Sequence, residues 1–296
     1  MKIKTALLQY PIAWADKETN LRLAEQRIAA LAGKADVAVL PEMFATGFCT
    51  DHPELAEPMD GEIMTGLQRL ADQYEIAIVG SFICLPIGDK VIEHPTKTQA
   101  SSGTPLRREA MRREEMRREE MRREAMRLVN RGFMVVPHGE VLIQDKRHLY
   151  AHGGEDKFFE QAQERHIFEY KGVKILLLVC YDLRFPVWAR NRSGHDYDLI
   201  LVVANWPDIR IQYWDALIAA RATENQCYIA AVNCVGDDGT GLHYNGHSVA
   251  YDTRLQPIVS FADDEEGTKI AEFDIDKLHH FREVLPLWKD IDHFTL

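Results

Sequence analysis

Apolar and polar positions along the chain fall into short buried runs that alternate with helical stretches. Lys4–Gln9 (KTALLQ) predicts a strand. Asn20–Leu31 (NLRLAEQRIAAL) carries apolar residues at helical spacing, with Thr19 or Asn20 placed to cap it. Asp36–Leu40 predicts a short buried strand ending at Pro41, Gly61–Tyr74 a helix, and Ile76–Cys84 another strand. Farther on, Gly132–Pro137 and Val141–Asp145 predict a hairpin that turns at His138-Gly139. Lys174–Cys180 and Tyr197–Ala204 predict strands and Gln212–Asn225 a helix. Cys227–Cys234, His247–Tyr251 and Lys269–Phe273 predict the remaining strands. Several of these strands are apolar on both faces, which requires cover on both sides of a sheet. The expected fold is α/β, a layered sandwich with helices outside two sheets, and no second domain boundary breaks residues 1–296.

One segment departs from this texture. Leu106–Arg127 (LRREAMRREEMRREEMRREAMR) is a pentad repeat. Thr104-Pro105 suits a helix start, and Glu109–Arg113, Glu114–Arg118 and Glu119–Arg123 are i,i+4 pairs in the favourable order. Met111, Met116, Met121 and Met126 advance about 140° per step at helical pitch, so they spiral instead of forming a stripe. The expectation is a charged helical arm within an insertion spanning 88–128, solvated in the bland reading. A partner-binding or self-associating helix, which would make the chain a scaffold, is the alternative. The segment carries nine Arg and six Glu, which leaves −14 on the remainder of a chain whose total is −11.

Composition narrows the class. The chain has 296 residues, 46% of them hydrophobic, enough for a full core. No apolar run approaches the roughly 20 residues of a membrane span, and the first residues read as a strand and not a signal peptide. The acidic balance argues against nucleic acid as a partner. Five scattered cysteines without a Cys-x-x-Cys pair predict no metal site and free thiols in a cytoplasmic protein.

Chemistry is suggested at three strand ends. VAVLPEMF delivers Glu42, QDKRHLY delivers Lys146, and ILLLVCYDLRFP delivers Cys180. A thiol near pKa 8.5 is only slightly ionised at neutral pH, so a nucleophilic cysteine needs a carboxylate to take its proton. A fixed ammonium and the backbone N–H of Tyr181 are suited to a developing oxyanion. Asn205 and Trp206 follow a buried strand and are expected to line the pocket, with Phe48 a further candidate. Cys49, Cys84, Cys227 and Cys234 are expected to be inert. His148 is expected to pack beside its strand, His279-His280 to lie in a C-terminal surface segment, and Asp263–Glu266 to form a solvated hairpin turn.

PEMF, DKRHLY and VCYDLRFP, in this order, resemble the three signature blocks of the nitrilase (carbon–nitrogen hydrolase) superfamily. The similarity runs over nearly the whole chain outside roughly 88–128. It implies a four-layer αββα sandwich and a Glu-Lys-Cys triad carried by Glu42, Lys146 and Cys180. It also implies a thioester intermediate, no cofactor and a homodimer. A second glutamate common in the family is best matched by Glu155, with Glu160 a weaker alternative. DKRHLY, CYDLRFPVWARN, ANWP and YNGHSVAYD are similar to the ω-amidase branch. That branch releases ammonia from small ω-amides of dicarboxylic acids such as 2-oxoglutaramate and 2-oxosuccinamate. An N-carbamoyl-amide hydrolase or a nitrilase would use the same triad. Arg184 stands where some members bind the substrate carboxylate; a structural ion pair with Asp182 is the competing reading. EQAQER (160–165) replaces the family's proline-glycine turn, which leaves the pocket wall there open.

Overall fold

The computed structural model describes residues 1–86, 128–192 and 195–292. The expected 88–128 insertion, with the pentad repeat, lies outside the described residues apart from Leu128. Two six-stranded mixed sheets dominate. The first runs β14 (Gly267–Asp274), β1 (Lys2–Gln9), β2 (Val37–Val39), β3 (Ala77–Cys84), β4 (Val129–Val135) and β5 (Val141–Asp145). The second runs β13 (Pro257–Ser260), β12 (Val249–Tyr251), β9 (Tyr228–Asn233), β8 (Leu199–Ala204), β7 (Val173–Val179) and β6 (Phe168–Tyr170). Each has three parallel strands at its centre, β1-β2-β3 and β7-β8-β9, with antiparallel strands outside. Two short strands, β10 (Val235–Asp237) and β11 (His243–Asn245), pair separately.

Residue alternation explains the layering. Along β1, β2 and β3, Leu7, Val39 and Val79 join the core that also holds Leu177, Val179, Val203 and Ala231 of the second sheet. The alternate residues Leu8, Ala38 and Ile78 pack instead with Ala24 and Ile28 of helix α1 (Lys17–Ala29) and Ile63 and Leu67 of helix α2 (Glu62–Tyr74). On the far side of the second sheet, Trp214, Ile218 and Ala222 bury one face of α3 (Ile211–Asn225). The result is four layers, αββα. No helix among the described residues is long and apolar enough to cross a membrane.

Several local expectations are corrected. Helix α1 starts at Lys17, and its cap is Asp16, whose carboxylate accepts the Thr19 N–H at 3.0 Å. Asn20, one of the two expected caps, is buried and braces the loop before the helix against the loop that follows β2. It accepts the Ala13 N–H (2.8 Å) and donates to the Ala13 and Ala45 carbonyls (2.7 and 2.9 Å). The Asp263–Glu266 turn is exposed but not merely solvated: His247 bonds Asp263 and His243 bonds Asp264. The expected C-terminal surface position of His279-His280 is borne out, since both are exposed on a helix, α4 (Ile275–Val284), where His279 Nε2 lies 2.8 Å from Asp198.

Arg282 of α4 anchors that helix. It is 1% exposed, pairs with Asp198 (3.2 Å), and donates to the Gln226 and Tyr197 carbonyls (each 2.8 Å). Removing one partner of a buried ion pair leaves an uncompensated charge. Arg282→Ala is therefore expected to cost about 3–5 kcal/mol in urea unfolding. A loss below about 1 kcal/mol would contradict this account.

Candidate functional site

Strand register builds the site. Val179 of β7 pairs with Val203 of β8, and Ala204 pairs with Asn233 of β9. Cys180, Asn205 and Cys234, each just past its strand, therefore share one rim, the carboxyl ends of parallel strands. In the first sheet, β5 runs out beside the start of β4, where the Lys146 N–H donates to the Asn130 carbonyl at 2.9 Å. Glu42 follows β2 across the Leu40-Pro41 step, and the rims meet where the Asn205 N–H donates to Glu42 Oε2 at 3.0 Å. The Asn205 side-chain amide donates to the Glu42 carbonyl at 2.8 Å, a second tie between the sheets.

Glu42, Lys146 and Glu155 are all 0% exposed, and Cys180 is 8% exposed. Lys146 Nζ donates to Glu42 Oε1 and Glu155 Oε1, each at 2.9 Å. Glu155 Oε2 accepts the Tyr150 N–H at 2.6 Å. Burial opposes the charge on Lys146, but Glu155 and Glu42 outweigh it and hold the ammonium above the usual lysine range. Burial raises Glu155, and Lys146 only partly offsets that. Burial and then the Glu42 carboxylate push the Cys180 thiol well above the usual cysteine range, with Lys146 pulling the other way. The resting sulfur is thus protonated, and its Sγ lies 3.9 Å from the carbonyl of Asn205, the residue whose N–H donates to the Glu42 carboxylate. Such a group needs its proton removed as it reacts, and the neighbouring carboxylate can remove it.

The backbone holds these groups under strain. Cys180 has φ +47°, a left-handed conformation that favours glycine, as it leaves β7 for a short 3-10 turn (Cys180–Arg184). Asp182 locks that turn to the Lys146 loop. Its carboxylate accepts the N–H groups of Val179 (3.3 Å), Arg147 (3.3 Å) and His148 (2.8 Å), and bonds His148 Nδ1 (2.8 Å). His148 also stacks on Phe185 with ring centroids 3.6 Å apart, the packing role expected of it. Met43, next to Glu42, has φ +43° and is held by the Ser81 hydroxyl, which accepts its N–H at 2.9 Å.

Cys180 and Lys146 open into a cavity of about 600 Å³. Tyr181, Arg184, Asn205, Trp206 and Phe48 line it, and Glu42 and Glu155 lie buried behind it. Gly153, Gly154 and Phe158 close the wall near the EQAQER departure. Arg184 forms no ion pair with Asp182, whose oxygens are taken by the partners above. Its guanidinium instead rests over Trp206 (4.6 Å), Tyr213 (5.2 Å) and Tyr181 (5.9 Å), with no carboxylate within ion-pair distance among the described residues. The structure therefore rejects the ion-pair reading and leaves a cation facing the cavity. Glu160, the weaker candidate for the second glutamate, is exposed.

Two neighbours escaped the sequence reading. Cys234, expected to be inert, lies with Sγ 2.9 Å from Asn205 Oδ1, on the amide that ties Glu42 to the second sheet. Asn130, fully buried, donates through Nδ2 to Glu42 Oε1 (2.8 Å) and Glu155 Oε1 (3.1 Å). Among the described residues its own Oδ1 has no partner, a loss of about 1–3 kcal/mol for a buried acceptor. The signal was a polar residue at the head of an apolar strand, but the expected strand began two residues later, at Gly132.

Residues 4–97 and 113–283 match the family model for carbon-nitrogen hydrolases. The chain is similar to omega-amidase YafV of Escherichia coli, with 37% identity over 99% of this chain and 98% of that protein. It is 27% identical to a 2-oxoglutaramate amidase of Bacillus subtilis, over 98% of each. Among solved structures it resembles XC1258 of Xanthomonas campestris, a CN-hydrolase superfamily protein with an arsenic adduct in its active site. The TM-score is 0.83 and the identity 32%, covering 100% of this chain and 99% of that one.

Proposed function

The chain belongs to the carbon–nitrogen hydrolase family, whose members cleave carbon–nitrogen bonds other than peptide bonds, and on that premise we propose a thiol amidohydrolase acting on small ω-amides of dicarboxylic acids. The observation that carries the proposal is the buried Glu42–Lys146–Glu155 cluster, with Cys180 open to the cavity and its sulfur against Asn205, which binds Glu42.

The steps follow from the groups present. Glu42 takes the Cys180 proton as the sulfur bonds to the amide carbon. The carbonyl oxygen gains the displaced electron pair, and Lys146 Nζ and the Tyr181 N–H stabilise it. Glu42 returns its proton to the leaving nitrogen, the carbon–nitrogen bond breaks, and ammonia departs from a thioester. Glu42 then takes a proton from water, whose oxygen attacks the thioester. The carbon–sulfur bond breaks and the proton returns to Cys180. Glu155 shares in holding Lys146, so the ammonium stays fixed while Glu42 changes charge. Closed off from solvent, these charges act at strengths water would screen.

Arg184 supports the substrate class. A guanidinium without a protein carboxylate suits a substrate carboxylate, bound bidentately. The relatives named for ω-amides and 2-oxoglutaramate fit the same chemistry. Arg184→Ala is expected to lower kcat/KM for 2-oxoglutaramate about 10- to 100-fold, mainly through KM, and to affect an uncharged amide far less. Arg184→Lys restores only part of the loss, because an ammonium lacks the planar fork. An equal loss on charged and uncharged amides removes Arg184 from this role.

A substrate panel with ammonia detection tests the whole reading. The expected result is turnover of 2-oxoglutaramate, 2-oxosuccinamate or succinamate. Carbon dioxide released with the ammonia from N-carbamoyl compounds, or turnover of nitriles alone, would overturn the ω-amide assignment while leaving the triad standing.

A further inference from the structure

We propose that Asn130 is a positioning residue that keeps Glu42 and Glu155 ionised side by side, so that the base is ready in the resting enzyme. The inference rests on Glu42 acting as the base toward Cys180. Two carboxylates in one dry site repel, and each favours a proton on the other. Lys146 supplies one positive charge between two negative ones. The remaining imbalance falls to neutral donors. Asn130 is a donor shared by both carboxylates, through Nδ2 to Glu42 Oε1 and Glu155 Oε1.

The amide can serve this purpose in one orientation only. Turned over, its oxygen would face two carboxylate oxygens with no proton between them. As it stands, both donor hydrogens are spent on the carboxylates and Oδ1 is left without a partner among the described residues. A side chain placed for packing alone would not leave a buried acceptor bare. The position is also prepared by the backbone, since the Asn130 carbonyl accepts the Lys146 N–H and ties both residues to one corner.

The charged and titratable groups around this amide come from four elements. They are Glu42 after β2, Lys146 after β5, Glu155 from the loop beyond, and Cys180 after β7. Cys234, after β9, reaches the same carboxylate field. Arg131, the next residue along β4, points to the opposite face of the strand and pairs with Asp145. Asn130 does not line the cavity, so its influence on substrate passes through the carboxylates.

Three variants test this: Asn130→Ala, Asn130→Ser and Asn130→Asp, each checked for folding by thermal melting. In Asn130→Ala, kcat is expected to fall about tenfold or more near neutral pH with KM changed less than about twofold. The acid limb of the kcat/KM profile is expected to move up by about one pH unit, because a donor to the carboxylates has been lost. Asn130→Asp is the sharper case. It matches asparagine in shape but sets a third carboxyl against the other two, so it is expected to be the worst of the three near neutral pH. A packing role predicts the reverse order. Alkylation of Cys180 by iodoacetamide across pH supplies a readout independent of substrate, and its acid limb is expected to move with the same sign. It therefore tests Asn130 even if the ω-amide assignment fails. An unshifted acid limb in any folded variant, or Asn130→Asp outperforming Asn130→Ala, overturns the proposal. Failure of all three to fold does so too, by making Asn130 a folding residue.

Discussion

Cys180→Ala is expected to lower ammonia release from the preferred ω-amide by at least about 10⁴-fold while the protein stays folded. The covalent step needs an atom that bonds the amide carbon, and among the described residues lining the cavity Cys180 supplies the thiol, within the electrostatic reach of Glu42 and Lys146. Cys180→Ser is expected to be nearly as inactive. A hydroxyl is far less acidic than a thiol, and Glu42 is matched to the easier proton. The fold tolerates both changes: each keeps a small side chain at φ +47°, so the strain there is unaltered. Acid-quenched wild type, mixed with substrate, is expected to show the mass of an acyl adduct that Cys180→Ala lacks. If the alanine variant keeps more than about 1% of the rate, Cys180 is not the nucleophile.

Lys146→Met carries the second largest effect, on rate and on stability together. Methionine keeps much of the volume and removes the charge. Glu42 and Glu155 would then share a dry pocket with Asn130 as their common donor, and one of them would take up a proton. A protonated Glu42 cannot accept the Cys180 proton, and the oxyanion loses its charged donor. A rate loss of about 10³-fold or more is expected. Stripping the cation from a buried ion-pair cluster is expected to cost about 3–5 kcal/mol.

The pH dependence gives that second prediction a sign. In the variant, a carboxyl group binds a proton more tightly folded than unfolded. The folded state therefore binds more protons, and stability is lost as pH rises from near the unfolded carboxyl value of about 4.3. In the wild type both Lys146 and Glu155 have raised folded pKa values, Glu155 with Lys146 partly offsetting its burial. The lysine's contribution is complete below the ordinary lysine pKa and fades only in strongly alkaline solution, while that of Glu155 is lost as pH rises above the unfolded carboxyl value. Urea unfolding of both proteins at pH 5 and pH 8 separates the cases. A variant whose stability falls no more steeply with pH than the wild type's, and whose rate is within tenfold, would remove Lys146 from the centre of the site.

The particular failures of the sequence reading share a cause. Asp16 displaced Thr19 and Asn20 as the cap because the Asn20 amide is engaged elsewhere, joining Ala13 to Ala45 on a loop beyond the next strand. Asp182 looked like a partner for Arg184 two residues away, yet it reaches back to the Lys146 loop. Asn130 lay two residues outside the expected strand and proved to be part of one, with its amide between two glutamates. Asn20, Asp182 and Asn130 are each buried and satisfy a demand set by a distant segment. Local spacing carries no trace of such a demand.

The central strands were legible because they are buried on both faces, and continuous apolar runs such as ILLLV and DLILVVA have few other homes. Glu42, Lys146 and Cys180 stood out because each interrupts such a run at its end, where a charged or reactive group is costly unless it has partners. That much belongs to the chain read in order. Which rims meet, how Lys146 comes to lie between two carboxylates, and that Arg184 is left facing a cavity were decided only by the packing of one sheet on the other. Burial turns such contacts into charge and proton preferences, and burial exists only once the layers have closed.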